Sequence, residues 1–332
     1  MEFQLPITIP ALAPPIRYGD KLLLTGSCFT EHIGGALRDW KFDTLLNPNG
    51  ILFDAASVAS SLISYIQPRI YGEDDLLYLN ELWQSWQHHS VFSRMDKQEC
   101  LREINGSQER AHAFLREADW LVITLGSAFS YRLVDGGGQA DGGGAVANCH
   151  RAPGQFFRKH LMTIEEILSA LDGCLFRLLN FNPHLRVIFT VSPVRHIRDG
   201  VVENNRSKAR LIEAVHHLVG KWDRLFYFPA YELVIDVLRD YRFYDVDLVH
   251  PNYPATAFVL EKFVAQCIDE PGRRLVEEVK KIVSARRHRP LQPATLAHRR
   301  FLQDNYQKTA ELAREYPFMD FHEELDYFSA GL

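Results

Sequence analysis

Residues 22–29 are Leu22-Leu23-Leu24-Thr25-Gly26-Ser27-Cys28-Phe29, and this stretch decides the fold. An apolar run stops in a turn of small residues, and an amphipathic stretch over residues 31–40 follows at once. A strand–turn–helix unit of this kind presents a side chain from the turn at the end of a parallel strand. The side chain presented here is the hydroxyl of Ser27.

The alternation of strand and helix continues along the chain. Further strands are predicted at residues 43–46, 120–125, 186–191 and 224–229, and further helices over residues 54–66, 97–117, 163–180 and 207–222. Such an alternation favours a mostly parallel sheet with helices on both of its faces. We therefore expect an α/β fold with three layers, α/β/α.

Two regions interrupt the alternation, and both are expected to be loop or hairpin insertions. The first, at about residues 77–96, is aromatic and rich in histidine. The second, at about residues 130–153, contains Gly136-Gly137-Gly138 and Gly142-Gly143-Gly144, which are typical of a hairpin tip. A phosphate-cradling loop is the alternative, but the glycines lack the Gly-Lys-Ser/Thr ending and a helix directly after them.

The composition changes after Cys267. Residues 1–268 are expected to form the main domain, and residues 269–332 a helical C-terminal extension that packs on the domain or on a partner subunit. The sequence leaves homo-oligomerisation through these helices open.

Bulk properties exclude several classes of protein. The chain has 332 residues, 46% of them hydrophobic, and a formal net charge of −5. This mild acidity gives no reason to expect a nucleic-acid partner or a membrane surface. Five scattered cysteines are typical of reduced thiols, and residues 1–16 do not resemble a signal peptide. The expected location is cytoplasmic.

A carboxylate and a histidine far downstream complete a catalytic pattern. Asp247 stands three residues before His250, just ahead of a predicted helix start at Pro251-Asn252-Tyr253-Pro254. A serine nucleophile needs a base, and the base needs an orienting group. Ser27, His250 and Asp247 are predicted to fill these roles; the competing interpretation makes Ser27 a helix N-cap and Asp247 a turn residue.

The stretch Gly26-Ser27-Cys28-Phe29 also resembles the signature of the GSCFA family, which has alanine where this chain has Thr30. That family is similar to a branch of the SGNH (GDSL-type) hydrolases, whose members pair an early serine with a late D-x-x-H. Other stretches that resemble the family are Asn47-Pro48-Asn49-Gly50-Ile51, Ser85-Trp86 with His89-Ser90, Asn148-Cys149-His150 and Ser192-Pro193-Val194-Arg195-His196. The resemblance covers about residues 5–265 and implies a flavodoxin-like sheet of the SGNH-hydrolase type.

The resemblance implies hydrolysis or transfer of an acyl ester through an acyl-Ser27 intermediate, without metal or cofactor. The expected substrate is a small-molecule or glycan ester, and Trp83 and Trp86 suit an O-acylated glycan. The Ser27 N–H at a helix start and the Gly50 N–H are the predicted oxyanion donors. A third donor is open between Ser127 and Asn148, because Gly126-Ser127-Ala128 replaces the glycine and asparagine of the wider superfamily.

Five further residues lie where pockets form in α/β sheets and are predicted to contact substrate: Asn49, His89, His150, Arg195 and His196. Arg195 has a structural ion pair as its alternative role. Two alternatives to this site stay open, a thiol nucleophile at Cys28 or Cys149 and a metal site at His88-His89.

Two functions of other classes compete with the enzyme. One is a non-catalytic ligand-binding module that retains the fold, which the missing asparagine favours. The other is an anion- or nucleotide-binding α/β protein that uses helix N-termini and Arg195.

Overall fold

The computed structural model describes residues 5–134 and 146–330. The strands in these residues are, in chain order, β1 (Lys21–Gly26), β2 (Asp43–Leu46), β3 (Leu77–Leu79), β4 (Leu82–Gln84), β5 (Trp120–Leu125), β6 (Phe129–Leu133), β7 (Phe157–Leu161), β8 (Arg186–Val191) and β9 (Leu225–Tyr227). The helices are α1 (Cys28–Asp39), α2 (Ala55–Ile66), α3 (Lys97–Glu117), α4 (Ile164–Phe181), α5 (Val201–Lys221), α6 (Ala230–Glu232), α7 (Tyr253–Cys267), α8 (Glu270–Arg287), α9 (Leu296–Glu315) and α10 (His322–Ser329). Helix α6 continues directly into a π-helical segment, Leu233–Leu238.

Five strands form a parallel sheet in the order β2-β1-β5-β8-β9. Successive side chains of a strand point to opposite faces. Accordingly, Leu22 and Leu24 belong to the core on one face, with residues of α1, α7 and α8, whereas Leu23 belongs to the core on the other, with residues of α2 to α5. The predicted α/β fold with a mostly parallel sheet between helical layers is confirmed.

Three elements have boundaries that differ from the sequence prediction by two residues or more. Helix α1 begins at Cys28, three residues early, because the Ser27 side chain caps it. Helix α5 begins at Val201 instead of residue 207, after Gly200 turns the chain with a φ of 93°. Strand β9 is shorter than predicted and is followed by Pro229, which has no N–H to extend the ladder.

The two insertions contain antiparallel hairpins. Strands β3 and β4 pair within the first, and β6 pairs with β7 across the second. The triple glycines at residues 136–138 and 142–144, predicted to be a hairpin tip, lie outside the described residues.

Helices α8, α9 and α10 pack against the main sheet domain. Val276 of α8 and Phe328 of α10 belong to the same buried cluster as Leu22 and Leu24 of β1. The carboxylate of Glu324, only 1% exposed, lies 2.8 Å from the Lys41 ammonium and 3.4 Å from the Arg286 guanidinium. None of the described helices has the length and apolar character needed to cross a membrane.

Candidate active site

The candidate site lies at the carboxyl edge of the sheet, where β1, β5 and β8 end side by side. The residues that follow these strands are Ser27, Gly126 and Ser192. Ligand sites of open parallel sheets form at this edge, because the loops after neighbouring strands converge there. The predicted catalytic residues are therefore expected at this edge.

Gly26 sets the position of the serine turn. Its φ is 137°, and a Cβ at this position would lie 2.1 Å from the Thr124 carbonyl oxygen. Its N–H donates to Asn47 Oδ1 at 2.9 Å, and the Asn47 amide nitrogen donates in turn to the Glu31 carboxylate. The end of β1 is thus fixed by close backbone contact on one side and by the Asn47 side chain on the other.

We expect Asn47→Ala to destabilise the protein by about 2–3 kcal/mol, because the buried Gly26 N–H loses its acceptor and Asn47 has a φ of 40°. Asn80→Ala is the matched control: Asn80 is exposed and has a φ of 51°, so the expected loss is about 1 kcal/mol from the backbone alone. Urea unfolding of both variants measures the difference, and equal losses would contradict a role for the hydrogen bond.

Ser27 is fully buried. Its Oγ accepts a hydrogen bond from Phe29 N at 3.3 Å as the N-cap of α1, and its own N–H donates to the Thr124 carbonyl at 3.0 Å. The amide that was predicted to be an oxyanion donor is therefore engaged with β5. Attack on a substrate requires the groups that cover the hydroxyl to move.

Asp247 and His250 form a close pair on the loop before α7. Asp247 Oδ2 lies 2.6 Å from His250 Nδ1, and Asp247 Oδ1 accepts from the N–H groups of Val249 and His250 at 2.9 and 3.0 Å. The hydrogen bond from the imidazole lowers the pKa of the Asp247 carboxyl to about 2. Because the carboxylate can only accept, Nδ1 carries the proton and Nε2 keeps its lone pair for a proton transfer.

The pair approaches the serine turn without a direct bond. Across residues 5–134 and 146–330, no hydrogen bond joins Ser27 to an imidazole. Helix α1 follows Ser27 directly and carries His32. The pKa of His32 is lowered by burial and, to a smaller extent, by the charge of His250 when that ring is protonated. Burial, the charge of Lys208 and, when His250 is protonated, the charge of His250 lower the pKa of His196 to about 4. The loop of the pair is held near this edge of the sheet by geometry: the Arg195 N–H donates to the Val249 carbonyl at 3.2 Å, and Val249 lines the same cavity as Ser127 and His196.

The other predicted oxyanion donors have partners of their own. The Gly50 N–H donates to the Asn47 carbonyl at 2.6 Å. Gly50 is required by packing, since a Cβ there would lie 2.3 Å from the Cβ of His89. The N–H of Ser127 donates to the Phe53 carbonyl at 3.0 Å, and its Oγ accepts from Phe129 N at 3.0 Å.

Asn148 lines a cavity of about 430 Å³ beside this edge of the sheet, and its Oδ1 accepts from His150 N at 2.8 Å. Ser127 lines the same cavity, together with Phe53, Asp54, Cys149 and His196. The two candidates for the third donor therefore reach a common space.

Three of the predicted substrate contacts lie away from that space. Asn49 is 2% exposed, and its Oδ1 accepts from Tyr65 Oη at 2.9 Å and from Gln108 Nε2 at 3.0 Å. His89 Nδ1 accepts from Val91 N, and His150 Nε2 donates to the Ser85 carbonyl at 2.8 Å. Asn49 thus joins its loop to α2 and α3, the His89 bond stays within the first insertion, and His150 joins the second insertion to the first.

Arg195 and His196 do line the cavity. The Arg195 guanidinium lies 4.1 Å from the Tyr244 ring centre and donates to the Leu248 carbonyl at 3.3 Å, so it ties the loop after β8 to the loop of the Asp247–His250 pair. The edge of the His196 ring meets Phe53 in a T-shaped contact.

The thiol and metal alternatives gain no support. Burial raises the pKa of Cys28 and raises that of Cys149 to about 11, so both thiols stay protonated at neutral pH. His88 is 1% exposed between the rings of Tyr71 and Phe92. Within the described part of the chain, no group of three or more His, Cys, Asp or Glu side chains could hold a metal ion.

Lys208 is the important residue that sequence reasoning missed. It is fully buried and donates to the carbonyls of Gly126 at 2.6 Å and Ser192 at 2.7 Å, which ties the ends of β5 and β8 together. Burial lowers the pKa of its ammonium to about 7. The burial of Lys208 could have been predicted from its spacing to Leu211 and Val215, which places the lysine on the apolar face of α5.

A family model described as "GSCFA family" matches residues 21–263. The chain belongs to the GSCFA family. A second family model, "GSCFA domain protein, C-terminal domain", matches residues 279–332. No curated protein matches the chain. The GSCFA match begins with β1 and ends within α7, so Ser27, Asp247 and His250 all fall inside it.

Proposed function

We propose that this GSCFA protein is a serine hydrolase or acyltransferase that acts on ester bonds through an acyl-Ser27 intermediate. The observation that carries the proposal is the Asp247–His250 pair at 2.6 Å, on a loop that contacts the residues after β8 and lines the cavity beside the edge of the sheet where Ser27 lies. The family membership supports a hydrolase-like fold. Trp83 and Trp86, which would suit a glycan, are both engaged within the protein: Trp83 lies under the Lys97 ammonium at 4.6 Å, and Trp86 packs on Phe157.

In this mechanism Ser27 Oγ forms a bond to the ester carbonyl carbon while its proton passes to His250 Nε2. Asp247 holds the ring by its Nδ1–H and stabilises the imidazolium. The tetrahedral intermediate then loses the alcohol, which takes the proton from His250. Water or an acceptor alcohol next attacks the acyl group, giving its proton to His250, and Ser27 leaves with that proton restored.

Burial of Ser27 adds a requirement to this cycle. The hydroxyl is covered in the free protein, so substrate has to displace part of its cover before attack. Closing and opening of this kind is common in enzymes that exclude water from the reaction.

A fluorophosphonate probe tests the proposal. We expect stoichiometric labelling of Ser27, located by peptide mass spectrometry, and no label on Ser27→Ala. His250→Ala is expected to lower the labelling rate by about 10²–10⁴-fold through loss of the general base. His217→Ala, an exposed histidine on α5, is the control and should label at the normal rate. An unlabelled, well-folded protein would contradict the enzyme.

The second candidate is a non-catalytic ligand-binding module, favoured by the complete burial of Ser27 and by the engaged N–H groups of Ser27 and Gly50. In that case Ser27 is only an N-cap. This function predicts failure of labelling in wild type while small esters or alcohols still raise the melting temperature.

A further inference from the structure

His196 has a buried polar atom that the proposed triad does not use. Its Nε2 is shielded from water and has no hydrogen-bond partner in residues 5–134 and 146–330. Its backbone is fixed independently, since the His196 N–H donates to Asn204 Oδ1 at 2.8 Å. A buried unpaired donor or acceptor is unfavourable in a folded protein, and one that persists is often kept for a catalytic role.

The unpaired atom lies near the serine turn. A Cβ at Gly126 would lie 3.2 Å from His196 Nε2, 3.2 Å from the Cβ of Ser27 and 3.4 Å from the Phe53 ring. Because both atoms lie 3.2 Å from that one point, His196 Nε2 and the Cβ of Ser27 are at most about twice that distance apart. Gly126 has no side chain to occupy the narrow space between them, and His196 also borders the 430 Å³ cavity.

The environment of His196 suits hydrogen-bond donation better than proton abstraction. Burial and the positive charge of Lys208 lower the pKa of His196 to about 4, so the ring is neutral at pH 7 and is a weak base. Moreover, none of its hydrogen bonds in the described structure goes to a carboxylate that would orient it as a base, in contrast to His250. A neutral imidazole can still donate from Nε2 to an oxygen that develops negative charge.

We propose that His196 Nε2–H is an oxyanion donor of the Ser27 site and takes the place of the asparagine that this chain lacks after β5. The inference rests on the proposed serine chemistry. In it, the developing oxyanion accepts from His196, and the unpaired nitrogen obtains its partner only when the tetrahedral species forms. His196 is then a catalytic residue that contributes to the chemical step and little to ground-state binding.

The test follows Ser27 phosphonylation by a fluorophosphonate over a range of probe concentrations, which separates the limiting rate from the half-saturating concentration. In this reaction Ser27 Oγ bonds to phosphorus, fluoride leaves, and the hydroxyl proton passes to His250. His196→Phe retains the ring and its contact with Phe53 but has no donor, and we expect its limiting rate to fall by about 10²–10³-fold at an unchanged half-saturating concentration. His196→Gln, whose Nε2 can donate from a similar place, should recover most of the rate.

Gly126→Ala gives a second variant that leaves the imidazole in place. Its methyl group would fill the space between His196 and Ser27, so we expect a similar loss of rate, with thermal unfolding as the check on folding. If His196→Phe, or a folded Gly126→Ala variant, labels at the wild-type rate, the role of His196 is overturned while the serine chemistry stands. Failure of the wild-type protein to label overturns the serine chemistry and this inference with it.

Discussion

Gly26→Ala is expected to destabilise the protein by about 3 kcal/mol or more, the largest effect of a single methyl group that we predict. The new Cβ would lie 2.1 Å from the Thr124 carbonyl oxygen, and φ at this position is 137°. Both β1 and β5 lie in the middle of the sheet, so neither can move aside without breaking the neighbouring ladders. The Ser27 turn has to shift or the strand end has to unpair.

Gly35→Ala is the matched control, since Gly35 lies in α1 with no atom within 4 Å of the added Cβ. There the substitution should stabilise the protein by about 0.5–1 kcal/mol through helix propensity. Urea unfolding followed by circular dichroism measures both variants. A Gly26→Ala variant within 1 kcal/mol of the wild type would show that the strand end is less rigid than its contacts indicate.

Acidification from pH 7 to pH 4 is expected to remove several kcal/mol of stability, and His88 should account for the largest share. Burial lowers the pKa of His88 to about 3, whereas the same residue in the unfolded chain titrates near 6.5. Between these values the unfolded state binds the extra proton, so the free energy of unfolding falls as the pH falls, by about 3 kcal/mol from this residue between pH 7 and pH 4. His196, with a pKa of about 4, acts in the same direction. Burial raises the pKa of Asp54, which opposes part of the loss.

His88→Gln isolates this contribution. The variant should be less stable than the wild type at pH 7, because the aromatic contacts with Tyr71 and Phe92 are lost, but should lose less stability on acidification. His217→Gln, at an exposed position of α5, should leave the pH dependence unchanged. Urea unfolding at several pH values between 7 and 4 gives the slopes. If the free energy of unfolding falls with pH equally steeply in His88→Gln and in the wild type, other groups cause the acid sensitivity.

The central sheet could be predicted because its strands are short apolar runs that end in turn residues. Leu22-Leu23-Leu24 and the strand at residues 120–125 are apolar on both faces, as expected between two helical layers. Helix starts are harder to predict, because they depend on which side chain caps the first turn. Ser27 caps α1 itself, so the helix extends back to the residue after it.

Hydrogen-bond partners at the candidate site could not be predicted, because they depend on strand register. The parallel pairing of Gly26 with Thr124 places the Thr124 carbonyl against the Ser27 N–H. That amide therefore bonds to β5 and does not donate to a substrate oxyanion. The approach of Asp247 to His250 is easier to predict, since the two residues lie only three positions apart. Nothing in the local sequence around Gly126 indicates that Lys208, from a distant helix, holds its carbonyl.

The cluster that joins Leu22 and Leu24 to Val276 and Phe328 has a consequence for the order of events during synthesis. One face of the sheet stays without part of its apolar cover until the segment around Phe328 has left the ribosome. Up to that moment the nascent chain exposes a surface on which chaperones or other nascent chains can bind. The boundary between the two family matches therefore divides the sequence at a place where the hydrophobic core is continuous.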